Sequence, residues 1–223
     1  MHPERLPQGY NEKYRQSNYF QYRRWLYWPF VAALIKRIGA QPGDTLLDAG
    51  CGQGFFSSLF ARRGVNVLGV DISAAGIMAA RRAYHSSRLT FEVGNVLELS
   101  SKSSFDYVFT RSCSLYNCRE FETNHAITDR LLSYVRPGGT LIFDYYTRLR
   151  GTETSENWIY HSLKSTQKHF SRYPGATVYF SIRLDAVFFG KFALTREMTW
   201  FSSHLSRATR LGGELIAVVP KSV

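Results

Sequence analysis

The stretch Leu46-Leu47-Asp48-Ala49-Gly50-Cys51-Gly52-Gln53-Gly54-Phe55 decides how this chain folds. It runs from a short apolar strand, through three glycines at alternate positions, into a helical segment. Glycines at such a junction turn the backbone sharply and admit a ligand where a Cβ would stand in the way. The spacing Gly50-x-Gly52-x-Gly54 is one residue short of the dinucleotide pattern G-x-G-x-x-G, in which a pyrophosphate rests on a helix N-terminus. Asp48, just ahead of the loop, would repel a pyrophosphate and suits a ligand bearing an ammonium group. Asp71 follows Asp48 by 23 residues, at the end of the next strand. A carboxylate there can accept hydrogen bonds from both vicinal hydroxyls of a ribose.

Outward from the loop, strand and helix alternate. Apolar runs predict strands at 45–49, 65–70, 89–93, 105–110 and 140–145, with helices at 55–63, from Ser73 to about residue 85, and at 121–135. Ser73 is placed to cap its helix. Arg136-Pro137-Gly138-Gly139 reads as the turn into the fifth strand. Upstream, a helix is expected with Pro29 in its first turn, Val31, Leu34, Ile35 and Ile38 on one face, and Gly39 closing it. Downstream, the pattern predicts a helix at 155–170, strand material at 178–192, a helix at 195–210 and a final strand at 214–219. Strands apolar on both faces, with helices between them, imply a parallel sheet covered on both sides, and right-handed crossovers make it doubly wound. The expected fold class is therefore α/β: a doubly wound, mostly parallel seven-stranded sheet, helices on both faces and an N-terminal helical lid. Residues 1–40 form an aromatic-rich helical cap. Residues 41–223 form the core, with a candidate lid insertion at about 147–190, within one domain overall.

Composition narrows the function classes. The chain has 223 residues, 28 Lys+Arg against 17 Asp+Glu and a net charge of +11. Apolar content of 44% excludes disorder. The longest near-apolar run, 25–35, contains Pro29 and is shorter than the roughly 20 residues of a membrane span. The first residues lack the basic-then-apolar pattern of a secretory signal, and three Cys make no even disulfide framework. Both point to a cytoplasmic protein. The basic residues are dispersed, with no run of five, and read as solvated helix faces. No His-x-x-x-His or Cys-x-x-Cys pair is present, so no metal is expected.

Asp48 through Gly54, with Asp71 after the second strand, resemble the class I S-adenosylmethionine-dependent methyltransferases, most closely the small soluble members. The resemblance covers roughly residues 44–145. It implies that S-adenosyl-L-methionine is the cofactor, with S-adenosyl-L-homocysteine as product. It also implies contacts from Asp48, Gly50, Cys51, Gly52 and Gly54, from Asp71 and Ile72 at the ribose, and from Asn95 and Val96 at the adenine. In the family the adenine-loop residue is usually Asp; Asn95 departs from that pattern but keeps an accepting carbonyl. Thr110, Arg111, Ser112 and Cys113 would lie near the methionine part. Tyr14, Tyr19 and Tyr22 are expected lid contacts, able to add cation–π stabilisation near a sulfonium.

Methyl transfer is an in-line displacement in which the cofactor brings the leaving group, so no invariant catalytic residue is expected. Candidates for the acceptor end are Tyr116, Tyr145, Tyr146 and His125. Otherwise His125, His161, His169 and His204 read as surface or capping residues. The leading expectation is methylation of oxygen or nitrogen on a small molecule, anionic or aromatic. Two alternatives stand beside it: an RNA or other nucleic-acid methyltransferase, and a non-catalytic cofactor-binding partner protein. The Asn/Asp-Pro-Pro-Tyr/Phe stretch typical of adenine amino methylation is replaced here by Arg111-Ser112-Cys113-Ser114.

Overall fold

Leu46, Leu47, Asp48 and Ala49 are all buried in β1 (Thr45–Ala49), as a strand covered on both faces requires. In the computed structural model, which describes residues 6–15, 22–100, 104–149 and 158–222, β1 is an inner strand of a seven-stranded sheet of order β3-β2-β1-β4-β5-β7-β6. Its other strands are β2 (Asn66–Asp71), β3 (Leu89–Val93), β4 (Phe105–Arg111), β5 (Val135–Thr147), β6 (Thr177–Ile182) and β7 (Gly213–Pro220). Strands β1 to β5 pair in parallel, and β7 runs antiparallel between β5 and β6. The strand order reverses between β1 and β4, the topological switch point at which such sheets bind ligands beyond their strand C-termini.

Helices α1 (Leu6–Arg15), α2 (Arg24–Ile38), α3 (Phe55–Ala61), α4 (Ala74–Ala83), α5 (Ala126–Tyr134), α6 (Leu163–Phe170), α7 (Asp185–Phe189) and α8 (Arg196–Thr209) complete the chain. Phe30, Val31 and Leu34 of α2 join Phe56 and Phe60 of α3 against Leu46, Phe109 and Ile142 on one face. Leu131 and Tyr134 of α5 join Phe170 of α6 against Leu47, Val108 and Leu141 on the other.

Several expected boundaries move. Helix α2 starts at Arg24, so Pro29 lies inside it and not in its first turn. The ring forfeits the bond to the carbonyl of Trp25, and burial of Tyr27, Phe30, Val31 and Leu34 holds the helix across the gap. The strand expected at 178–192 ends at Ile182, because Asp185 accepts the Ile182 N–H through Oδ2 at 2.9 Å and starts α7. The helix expected at 121–135 is the shorter α5. Arg136-Pro137-Gly138-Gly139 is an irregular stretch within β5. A Cβ on Gly139 would press on the Asp106 carbonyl. Within 147–190, α6 and β6 are core elements; residues 150–157 lie outside the described residues.

The α8 helix inverts ordinary amphipathicity. It buries Thr199, Ser202, Ser203 and Ser206 and exposes Trp200 and Phe201. The reason is the edge of β6. Thr199 Oγ1 accepts the Phe180 N–H at 3.2 Å, and Ser202 Oγ donates to Asp185 Oδ2 at 2.7 Å. Hydroxyls thus serve an edge that a hydrocarbon face would leave unsatisfied.

His161 and His169 are buried, against the expectation of surface or capping histidines. The Phe121 ring stacks between them, with centroids at 4.0 Å and 4.5 Å, and His125 stacks on His169 at 4.6 Å. Burial pushes the His169 imidazole from its ordinary 6.5 down to about 4. The unfolded chain therefore binds the extra proton first. Stability is complete above pH 6.5 and is lost as pH falls toward 4. Thermal unfolding should drop by about 3–6 °C between pH 7 and pH 5, for about 1–2 kcal/mol. His169→Gln should flatten that slope; an unchanged slope would assign the acid sensitivity elsewhere.

Candidate functional site

The three loop glycines all adopt left-handed φ: 80° at Gly50, 76° at Gly54 and 54° at Gly52. The N–H groups of Gly50 and Cys51 both bond the Val70 carbonyl, at 2.8 and 3.1 Å, which ties the loop to the end of β2. Asp71 braces it from the other side. Its Oδ2 accepts the Gly52 N–H and its Oδ1 the Ser73 N–H, each at 2.8 Å. A carboxylate offers about four lone pairs, so two remain for a ligand. Burial pushes the Asp71 carboxyl up, opposed by those two N–H groups. Asp48 is more enclosed. Ser57 of α3 donates to its Oδ2, and burial pushes its carboxyl up to about 7.

Above the loop lies a cavity of about 680 Å³, within the usual range for small-ligand sites. Asp48, Gly50, Cys51, Gly52, Asp71, Ile72, Asn95 and Val96 line one end. Tyr22, Tyr27, Tyr146, Trp158, Tyr160 and Arg183 line the other. Helix α1 lies across the first end. Asn11 Oδ1 accepts from Ser73 Oγ at 2.7 Å and from the Ala75 N–H at 3.0 Å, capping the start of α4. Gln53 Nε2 donates to the Tyr14 carbonyl at 3.3 Å. The Tyr14 hydroxyl sits 2.7 Å from where a Cβ on Gly52 would stand. The absent side chain therefore makes room for the lid tyrosine.

At the other end Arg111 is buried among counter-charges. Nη2 reaches Glu214 Oε1 at 2.7 Å, Nε reaches Asp144 Oδ2 at 3.1 Å, and Nη1 donates to the Tyr22 hydroxyl at 2.9 Å. Its guanidinium also lies 4.6 Å from the Phe56 ring centroid. Pairing register explains the grouping: Arg111 stands opposite Asp144 across β4 and β5, and Glu214 stands diagonally across β7. Burial and the neighbouring Glu214 hold the Asp144 carboxyl well above the usual range. Arg183 adds a longer contact to Glu214 Oε1, at 3.4 Å. An acid inside the apolar runs Ile142-Phe143-Asp144-Tyr145 and Glu214-Leu215-Ile216 was the available signal for this cluster. Asn11 offered no comparable signal.

The structure separates the predicted residues. Gly54 does not line the cavity; its Cβ would meet the Phe91 ring at 2.5 Å and Ala80 at 2.9 Å, so it is a packing glycine. Asn95 lines the cavity but caps a 3-10 turn, accepting the Leu97 N–H at 3.1 Å and donating to Glu98 Oε1 at 2.7 Å. Arg111 lines the cavity with its charge already matched. Tyr116, Tyr145 and His125 do not reach the cavity. The Tyr116 hydroxyl meets Thr128 Oγ1 in the core, Tyr145 donates to the Ile159 carbonyl, and His125 stacks on His169. Residues 145 and 146 face opposite sides of β5, which leaves Tyr146 alone of that pair at the cavity. Tyr14 and Tyr22 line it; Tyr19 lies outside the described residues. Among the described residues no cluster of His, Cys, Asp and Glu is placed to hold a metal, and no helix is long and apolar enough to cross a membrane.

Comparison with known proteins identifies the family. A family model for a methyltransferase domain matches residues 40–200. Phosphoethanolamine N-methyltransferase 2 of Caenorhabditis elegans is 30% identical over 129 residues, covering 55% of this chain and 29% of that protein. The ubiquinone biosynthesis O-methyltransferase of Rhodopseudomonas palustris is 36% identical over 75 residues, covering 33% of this chain and 30% of that one. The chain spans 29% to 55% of the length of the curated relatives it matches. The fold is shared with phosphoethanolamine N-methyltransferase 2 of Haemonchus contortus, solved with S-adenosyl-L-methionine, at a TM-score of 0.65 and 17% identity over 96% of this chain and 60% of that one. With the glycine loop and Asp71 at the switch point, and a family match over most of its length, the chain belongs to the methyltransferase domain family.

Proposed function

We propose that this protein transfers the methyl group of S-adenosyl-L-methionine to an oxygen or nitrogen of a small anionic or aromatic molecule. The observation that carries this reading is one continuous cavity joining the Gly50–Gly54 loop and Asp71 to an aromatic, arginine-bearing end. When bound, the cofactor supplies an activated methyl on sulfur and a good leaving group. The residues present fit it. Asp71 retains two lone pairs for ribose hydroxyls after bracing Gly52 and Ser73. Asp48 offers Oδ1 beside the loop, with Oδ2 engaged by Ser57. Asn95 can accept one further hydrogen bond on Oδ1.

At the other end Tyr146, Tyr160 and Trp158 form aromatic walls, and Arg183, stacked over the Tyr146 ring at 4.6 Å, supplies positive charge. Such walls exclude water and align an acceptor. An anionic acceptor agrees with the phosphoethanolamine in one relative's name, and an aromatic one with the ubiquinone in another's. Helix α1 acts as the lid, held by Asn11 across the start of α4. The free cysteines Cys51, Cys113 and Cys118 accord with a cytoplasmic setting.

The deciding experiment is calorimetry with S-adenosyl-L-methionine, S-adenosyl-L-homocysteine and NAD, beside mass spectrometry of small molecules carried by the gently purified protein. Binding of the two adenosyl-sulfur ligands and not of NAD is expected; binding of NAD alone, or of none, overturns the reading. Asn11→Ala tests the lid. It should weaken S-adenosyl-L-methionine about tenfold while costing at most about 1 kcal/mol of stability, the value of one cap. Unchanged affinity would remove the lid role of α1.

A further inference from the structure

Beyond the cavity, the feature least explained by folding is the aromatic surface of α7 and α8. Phe188 is 72% exposed and Trp200 is 65% exposed, with Phe189 and Phe201 exposed beside them. The two helices are tied at one point, where Ser202 of α8 donates to Asp185 at the first position of α7. His204 stacks on one face of Trp200 at 4.4 Å and still leaves that ring largely in water. Monomeric proteins seldom expose such a group of large rings without using it. Hydroxyl service to the β6 edge explains why α8 buries Ser and Thr. It does not explain Trp and Phe outside, where Lys or Glu would serve a helix equally well.

The charge around the rings says what they meet. On α8 and just after it, Arg196, Arg207 and Arg210 are exposed beside one exposed acid, Glu197, while Asp185 of α7 is buried. The whole chain carries +11. Trp and Phe flanked by Arg match the interfacial zone of a bilayer, where rings enter the headgroup boundary and cations meet acidic lipid. A second copy would set the same positive charges against one another. An acidic protein would need a shape matched to the rings, whereas a bilayer needs none.

We propose that α7 and α8 dock this protein on an anionic lipid surface, with Phe188 and Trp200 inserting and Arg196 and Arg207 resting on the headgroups. This stands apart from the cofactor reading, since neither ring lines the cavity. The segment does begin at Arg183, whose side chain does line it. Docking here would hold the cavity's arginine end beside the membrane.

The test uses the full chain with phosphatidylserine–phosphatidylcholine vesicles and with pure phosphatidylcholine vesicles. Co-sedimentation and tryptophan emission are read at low and at raised salt. Expected are binding and a blue shift with the anionic vesicles only, weakened by salt. The double variant Phe188→Ala/Trp200→Ala should cut vesicle affinity on the order of a hundredfold, tenfold for each inserted ring, with thermal stability unchanged because both rings are exposed. Three results would each overturn the proposal. One is no binding to anionic vesicles at low salt. Another is equal binding by the double variant. The third is a blue shift that follows protein concentration without lipid, which would assign the face to a second copy.

Discussion

Asp71→Ala is expected to abolish measurable S-adenosyl-L-methionine binding and to lower the unfolding free energy by about 2–5 kcal/mol. Two effects add. The carboxylate is the proposed ribose acceptor, and losing charged hydrogen bonds there costs about 1.5–3 kcal/mol each. It also accepts from two buried backbone donors, Gly52 N–H and Ser73 N–H. Each left unpaired costs about 1–3 kcal/mol, and freeing Gly52 releases the loop that faces the cavity. Asp71→Asn separates the two effects. One amide oxygen can still hold one N–H, while the amide NH2 opposes the other, so stability should recover in part and affinity should not. Calorimetry and chemical denaturation measure both quantities. Unchanged affinity in Asp71→Ala would refute the ribose assignment, and unchanged stability would refute the bracing role.

Arg111→Met should destabilise the fold by about 3–5 kcal/mol at neutral pH, the usual cost of leaving buried charge without its partner. The side chain reaches Asp144, Glu214 and Tyr22 from a position almost wholly out of water. Met fills most of the volume, so the loss reports charge and not a cavity. The pH dependence has a definite sign. Without Arg111 the Asp144 carboxyl rises further above its unfolded value, a shift already present with the arginine in place. Groups raised in this way favour the folded state below the unfolded pKa and penalise it as pH rises. The deficit of the variant relative to the parent chain should therefore shrink toward pH 5 and widen toward pH 8. Adding Asp144→Asn and Glu214→Gln to Arg111→Met should recover much of the lost stability. A deficit independent of pH would mean that the arginine acts through packing alone.

The glycine-loop end of the cavity was legible because its geometry is local. Asp48, the alternating glycines and Asp71 lie in one βαβ unit, where glycine spacing and a strand-end acid constrain the ligand within a short span of chain. The sheet was legible for the same reason: strands buried on both faces leave unbroken apolar runs such as Val67-Leu68-Gly69-Val70. The ends of elements were less legible. Pro29 inside α2 and Asp185 cutting short the expected strand are settled by partners distant in sequence, the buried face of a helix in one case and an edge N–H in the other.

What the sequence by itself determined is the α/β class, the parallel core, the loop at the switch point and the acid at the end of β2, since each follows from propensity, period and short-range geometry. Tertiary structure alone decided which of those residues share a cavity. Tyr145 and Tyr146 are neighbours in the chain, yet the strand's two-residue period sends only the second to the site. Arg111 resembled a ligand contact until sheet register placed Asp144 and Glu214 against it. Asn11 became a clasp because α1 crosses the start of α4. The physical reason is common to all three. A side chain's charge and hydrogen-bonding capacity are fixed by its type, but what consumes that capacity is set by whichever segment packing brings against it.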